Sequence, residues 1–230
     1  MLRNNRGFYV AQRLGEELFL MRAFICQQDK QINSYILNIE EYVETAQVEK
    51  WYETSYGEGE KFIDEVKHIE GVTEEDYDFK EMFTEVMPLY QRQAMFVALW
   101  GRLECKLDDI AKHLSSIKGI KIKKKSKGLS DFIHLISEIE RLGVKITDTE
   151  ECSNAVDFLN NEVREIRNAW VHNGGKVKKE KIGKIVKSTK YLDMNFEVLS
   201  ITNEYLLFSL SEMMKISRKI LDQFILHKIS

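Results

Sequence analysis

Apolar positions recur along this chain at three- and four-residue steps over most of its length, the spacing of helices that bury one face. The first pattern covers residues 8–49, with Leu14, Leu18, Met21 and Ile25 followed by Ile32, Ile36, Ile39 and Val43. It predicts one long helix. Residues 51–59, with two glycines, read as a connection, and Phe62, Ile63, Val66 and Ile69 predict a short helix over residues 60–69 that Gly71 stops. Pro88 predicts a kink or break at Met87 and opens the next helix. That helix, over residues 89–117, has the clearest stripe: Phe96, Leu99, Leu103, Leu107, Ile110, Leu114 and Ile117.

Ser130 is placed to cap a short helix that Gly143 ends. Thr147 and Glu150 have capping-box spacing, so a helix is predicted to begin near Asp148. Its buried face is Cys152, Val156, Leu159, Val163, Ile166 and Trp170. Residues 194–202 have strand-like composition, and with residues 182–186 they predict a small hairpin between helices. Thr202 caps a last helix that turns Leu206, Leu210, Met213, Ile220, Leu221 and Phe224 inward. The pattern as a whole predicts an all-α fold. Residues 1–75 are expected as an N-terminal helical extension, and residues 76–230 as a helical bundle with a small β-hairpin inserted after the helix that carries Trp170.

Composition narrows the class. At 230 residues and 43% hydrophobic, the chain has enough apolar surface for a sizeable core. The three cysteines are odd in number and far apart, without a C-x-x-C pair, which favours reduced thiols in a cytoplasmic setting over a disulfide framework. The N-terminus has no signal-peptide pattern, and no run approaches the ~18–20 apolar residues of a membrane span. The net charge of −3 conceals two opposed regions. Residues 38–85 hold sixteen carboxylates against four lysines, and residues 118–190 hold seventeen Lys/Arg against ten carboxylates. Either region reads as a solvated face, and the basic one also suits a polyanion.

The chemistry concentrates in Glu165-Ile166-Arg167-Asn168-Ala169-Trp170-Val171-His172-Asn173-Gly174-Gly175. On a helix Asn168 and His172 share a face, and the long Arg167 side chain reaches the same space. A guanidinium matches two phosphate oxygens and stays charged, while an imidazole exchanges a proton near neutral pH. The same residues also fit a surface ion pair of Arg167 with Glu162 and a helix C-cap by His172. Cys105, Asp109 and His113 share a helix face, but no second His/Cys cluster completes a metal shell. No metal or cofactor is expected.

The stretch from Glu165 to Gly174, with its Arg-x4-His spacing and the polar Asn168 after the arginine, resembles the signature of the HEPN superfamily (higher eukaryotes and prokaryotes nucleotide-binding). The earlier segment with Leu103 and Glu104 is similar to the helix that precedes the motif in many members. The resemblance covers about residues 80–228. It implies a HEPN-like all-α domain that acts as a metal-independent endoribonuclease and homodimer, with both motifs lining one cleft, often as a toxin or in anti-phage defence. On that reading His172 is the acid/base, Arg167 binds the phosphate and stabilises charge developing on it, Asn168 orients the phosphate or the histidine, and Glu104 either positions Arg167 or is a flanking surface acid. RNA, tRNA among the candidates, is the implied substrate, with an antitoxin or sensor protein as a further partner and no membrane. Lys123, Lys124, Lys125, Lys178 and Lys179, in lysine clusters either side of the motif, would add sequence-independent phosphate contacts. The family also holds members without nuclease activity, which act as dimerisation or nucleic-acid-binding modules.

Overall fold

The computed structural model of the protein describes residues 6–53, 59–177, 180–195 and 198–227. In chain order, helix α1 (Arg6–Leu37) and a 3₁₀ turn (Ile39–Tyr42) lead into strands β1 (Glu44–Glu53), β2 (Gly59–Ile69) and β3 (Val72–Thr73). Helix α2 (Phe79–Glu81) and a π-helical turn (Met82–Val86) run into α3 (Met87–Lys118), followed by α4 (Asp131–Arg141) and α5 (Glu150–Phe158). A second π-helical turn (Leu159–Val163) joins α5 to α6 (Arg164–Asn173). Helix α7 (Glu180–Ser188), strands β4 (Leu192–Asn195) and β5 (Val198–Ile201), and helix α8 (Asn203–Leu226) complete the order.

The all-α expectation is therefore corrected. The fold is mostly helical but mixed, with a three-stranded antiparallel sheet, β1-β2-β3, and a two-stranded one, β4-β5. Residues 60–69, expected as a helix, are β2, and the expected connection before them includes the end of β1. The register pairs Val48 with Asp64, Lys50 with Phe62 and Trp51 with Lys61. A short run rich in Phe, Ile and Val suits either period, and cross-strand pairing selected the strand. Helix α1 stops at Leu37 because Asn38 leaves helical geometry and its amide Nδ2 donates to the Ser34 carbonyl at 2.9 Å. Around Pro88 the helical path continues instead of breaking, since the wide turn before it, closed by Met87 N–H to the Met82 carbonyl, accommodates the ring.

The chain divides into two compact units, Met1–Cys26 with Arg92–Ser230, and Gln27–Gln91. The larger unit contains the main core. Phe96, Leu99, Leu103, Leu107, Ile110 and Leu114 of α3 are at most 1% exposed, so all but Ile117 of the predicted stripe is inside. Leu14, Leu18 and Ile25 of α1, Phe132 and Ile139 of α4, and Leu210, Met213, Ile220 and Phe224 of α8 are also buried. Thr149, rather than Thr147, caps α5, because Thr147 is taken by the Glu140 carboxylate. The predicted hairpin exists with other partners: β4 pairs with β5, and residues 182–186 lie in a helix, α7. The smaller unit has a modest core of Ile32, Val66, Ile69 and Phe83, with Tyr35 and Tyr42 packed on Phe83. Lys50 ties its strands together through Asp64 and Glu75, which raises the ammonium above the usual lysine range through those hydrogen bonds. Among the described residues no helix is long and apolar enough to cross a membrane.

The lysine-rich segment between α3 and α4 is held from below by one carboxylate. Buried Glu138 accepts from the Lys123 backbone N–H at 2.9 Å and from Arg141 Nε at 2.8 Å, and Arg141 also donates to the Lys121 carbonyl at 3.0 Å. The Arg141 hydrogen bond outweighs burial and lowers the Glu138 carboxyl to about 2. A depressed native value against about 4.3 in the unfolded chain means full stabilisation above the unfolded value, lost as pH falls through about 2. Glu138→Gln is expected to cost about 2 kcal/mol at neutral pH in urea unfolding and to flatten the acid limb of the stability profile between pH ~5 and 2.

Candidate functional site

Helix α6 owes its orientation to one buried face. Ile166, Ala169 and Trp170 are nearly inaccessible, and Val163 in the turn before them is fully so. The π-helical turn puts an extra residue into that stretch, and the Arg164 side chain satisfies the widened turn by donating Nε to the Asn160 carbonyl at 3.1 Å. Asn160 in turn accepts from Ser130 Oγ at 2.9 Å, which ties the turn to the start of α4. Ser130 also caps α4 by accepting from Ile133 N–H. With this face pinned, the opposite flank of α6 presents Arg164, Arg167 and Asn168.

Arg167 is half-buried and donates Nη1 to Asn168 Oδ1 at 2.9 Å. Its Nη2 lies 3.7 Å from Glu104 Oε2 on α3, an ion contact longer than a hydrogen bond. Its Nε is buried without a hydrogen-bond acceptor in the structure. The guanidinium is therefore charged, oriented and only partly satisfied, a condition under which an added oxygen ligand is favoured. Burial raises the Glu104 carboxyl above the ordinary glutamate value, with Arg167 and Arg164 pulling it back and Asp131 pushing it further up. Glu104, Arg167, Arg164 and Asp131 thus share one electrostatic neighbourhood, and Lys125 joins it by pairing with Asp131 at 2.5 Å.

The predicted residues divide accordingly. Glu104, Arg167 and Asn168 come together, with Lys125 at their edge. Lys123 and Lys124 are exposed on the anchored segment. Lys178 and Lys179 lie outside the described residues. His172 is exposed in the last turn of α6 and makes no hydrogen bond or ion pair with a described residue. The alternative pairing of Arg167 with Glu162 does not form. Glu162 accepts from the Tyr205 hydroxyl at 2.9 Å, and burial raises both groups above their ordinary values. Cys105 is exposed and Asp109 pairs with Lys106, and no group of His, Cys, Asp and Glu among the described residues is arranged to hold a metal.

Sequence reasoning missed Arg164, Asp131 and Lys181. Arg164 pairs with buried Glu165 at 2.6 Å, and Lys181 of α7 approaches the same carboxylate at 3.5 Å. The three-residue step from Arg164 to Arg167 was the available signal for the first. The other two come from elements distant along the chain. With Lys184 and Lys187, Lys181 makes an exposed basic face on α7, where a strand had been expected.

Comparison of the chain with protein-family models, curated proteins and solved structures finds no match.

The exit from α6 depends on its two glycines. Gly174 adopts a left-handed conformation (φ 58°) and its N–H bonds to the Ala169 carbonyl, and Gly175 follows at φ 79°. Gly175 lies flat against Trp170, and its carbonyl accepts from Leu199 N–H at 3.0 Å, which joins the motif helix to β5. A methyl group on Gly175 would stand 2.6 Å from Trp170 Cε3, well inside contact distance. Gly175→Ala is expected to destabilise the protein by about 1–3 kcal/mol in urea unfolding and to shift the Trp170 fluorescence, with Gly183→Ala, where the added methyl meets nothing, as the quiet control.

Proposed function

We propose that the Arg167 cluster binds the sugar–phosphate backbone of RNA and that the protein is a metal-independent endoribonuclease of the HEPN type, working as a homodimer. The observation that carries this reading is the state of Arg167. It is half-buried, aimed by Asn168 and touched by Glu104 only at 3.7 Å. Phosphate oxygens suit the part of such a guanidinium that stays open to solvent. The exposed lysines on the segment anchored by Glu138 and on α7 add salt-sensitive backbone contacts.

The chemistry follows from the residue types. A ribose 2′-OH attacks the adjacent phosphorus and its proton passes to a base, while the 5′-oxygen of the next nucleotide leaves with a proton from an acid. This leaves a 2′,3′-cyclic phosphate. His172 is the residue of the motif whose side chain can serve as both acid and base, and Arg167 stabilises charge growing on the phosphate oxygens. Within one protomer nothing among the described residues holds the imidazole, so the reading assigns its positioning to bound RNA and a second protomer. A role in a toxin or anti-phage system, with a cytoplasmic location and an antitoxin or sensor as partner, belongs to the same proposal. The free imidazole also supports a second reading, a non-catalytic RNA-binding or dimerisation module.

Incubation of the purified protein with a tRNA pool in EDTA separates the two. Cleavage to 2′,3′-cyclic phosphate ends is expected, reduced by about 10²–10⁴-fold in His172→Ala and in Arg167→Ala with the fold intact. Undiminished cleavage by His172→Ala would refute the proposed mechanism. Absence of cleavage together with salt-dependent binding that Arg167→Ala abolishes would favour the second reading.

A pH dependence follows from Glu104. Its carboxyl takes up a proton at higher pH than an ordinary glutamate, chiefly through burial, and protonation removes a negative charge beside Arg167. RNA affinity of the His172→Ala protein, measured by fluorescence anisotropy, is expected to rise as pH falls through that titration. Glu104→Gln is expected to start near the higher affinity and to lose this part of the rise.

A further inference from the structure

The unit formed by Gln27–Gln91 contains a cavity of about 670 Å³ lined entirely by its own residues. Half-buried Ile39, Val43 and Phe79 supply an apolar floor, and Glu40, Glu74 and Asp78 stand among the polar groups of the lining. Asp78 is committed to capping α2, where it accepts from the Lys80 and Glu81 N–H groups. Glu40 and Glu74 are exposed, and neither forms a side-chain ion pair among the described residues. Two lysines, Lys67 and Lys80, share the lining.

Within the lining Lys67 and Lys80 offset Glu40 and Glu74, so it is the charge of the unit around the cavity that bears on the class of occupant. Across residues 27–91 the chain carries seventeen Asp/Glu against five lysines, a net of −12 in a unit of 65 residues. A field of that sign repels nucleic acid, anionic lipid and phosphorylated peptides, and draws in cations. The floor then separates one class of cation from another. A simple polyamine gains only the charge term, whereas a polypeptide can also place an aliphatic or aromatic side chain on Ile39, Val43 and Phe79. The volume lies within the range of about 300–1,000 Å³ typical of ligand pockets, enough for a few side chains of such a segment.

We propose that this cavity is a docking site for a basic polypeptide segment. An apolar side chain of the segment seats on the Ile39–Val43–Phe79 floor, and its lysine or arginine neighbours pair with Glu40 and Glu74. Lys67 and Lys80 face the carbonyl groups or a carboxylate of the same segment and set its direction. The proposal is independent of the ribonuclease reading, since every residue it uses lies in the acidic unit.

The test uses the full chain and a fluorescein-labelled twelve-residue peptide of alternating lysine and leucine, followed by anisotropy at ~150 mM salt. Saturable binding is expected, with the lysine–serine peptide of equal charge at least about tenfold weaker and the glutamate–leucine peptide not binding. The pair Glu40→Lys and Glu74→Lys is expected to weaken binding at least about tenfold. The same charge change at Glu60→Lys and Glu65→Lys, on β2 outside the lining, is expected to weaken it less than about threefold. Leu37→Ser and Tyr77→Ser, uncharged changes at exposed lining positions that leave the core untouched, are also expected to weaken it. Equal effects of the two charge pairs, or equal binding of the lysine–serine peptide, would reduce the interaction to bulk charge and overturn the proposal. If the Glu40/Glu74 variant fails to fold by circular dichroism, the peptide comparison and Leu37→Ser still decide the matter.

Discussion

Burial of one face of the helix that ends in Gly174-Gly175 governs the placement of every group in the Arg167 cluster. Val163, Ile166, Ala169 and Trp170 have almost no solvent exposure, and removing that much apolar surface from water leaves the helix no freedom to roll. Arg167 consequently emerges on the flank that looks toward Glu104, and Asn168 lies beside it to hold the guanidinium plane. Trp170 has a second task at the end of the same stripe. Its ring is the surface on which Gly175 lies, and Gly175 carries the link to β5. Core packing, the exit turn and the orientation of the cluster are therefore one coupled arrangement.

Carboxylates around this cluster do two different kinds of work. Glu138 is buried and fully engaged, and its depressed titration reflects two elements that it ties together, the lysine-rich segment and the end of α4. Glu104 stands in the opposite regime, raised by burial and only loosely met by Arg167. A carboxylate held low by donors is a structural anchor, whereas one held high beside an under-satisfied arginine is suited to give way to an anionic ligand. The lysines near the site rest on the first kind of carboxylate. The chemistry proposed for Arg167 depends on the second.

The opposed charges of the two units bear on partner choice. Sixty-five residues at net −12 disfavour anionic partners at their own surface, so the proposed RNA contact is assigned to the unit that holds Arg167. The proposed docking of a basic segment and the chemistry proposed for Arg167 use different residues and can be altered separately.

Long periodic stripes were legible because their signal is local and repeated. Phe96 through Leu114 mark one face for five turns, and no competing strand pattern fits them. The caps at Ser130 and Thr202 and the glycine stop after His172 were legible for the same reason, since each acts within four residues. Residues 60–69 and 182–186 were misread because a few Ile, Val and Phe side chains satisfy either period over so short a run. Long-range pairing with residues 44–53 made a strand of the first, and the second became a helix with Ile182 buried. The sequence by itself determined the long striped helices α3 and α8, the faces they bury, and that Arg167 and Asn168 would be neighbours. Only the tertiary structure decided that Glu104 of α3 meets Arg167 and that His172 has no partner among the described residues, because contacts between distant segments depend on how buried faces pack, and no spacing along the chain encodes that.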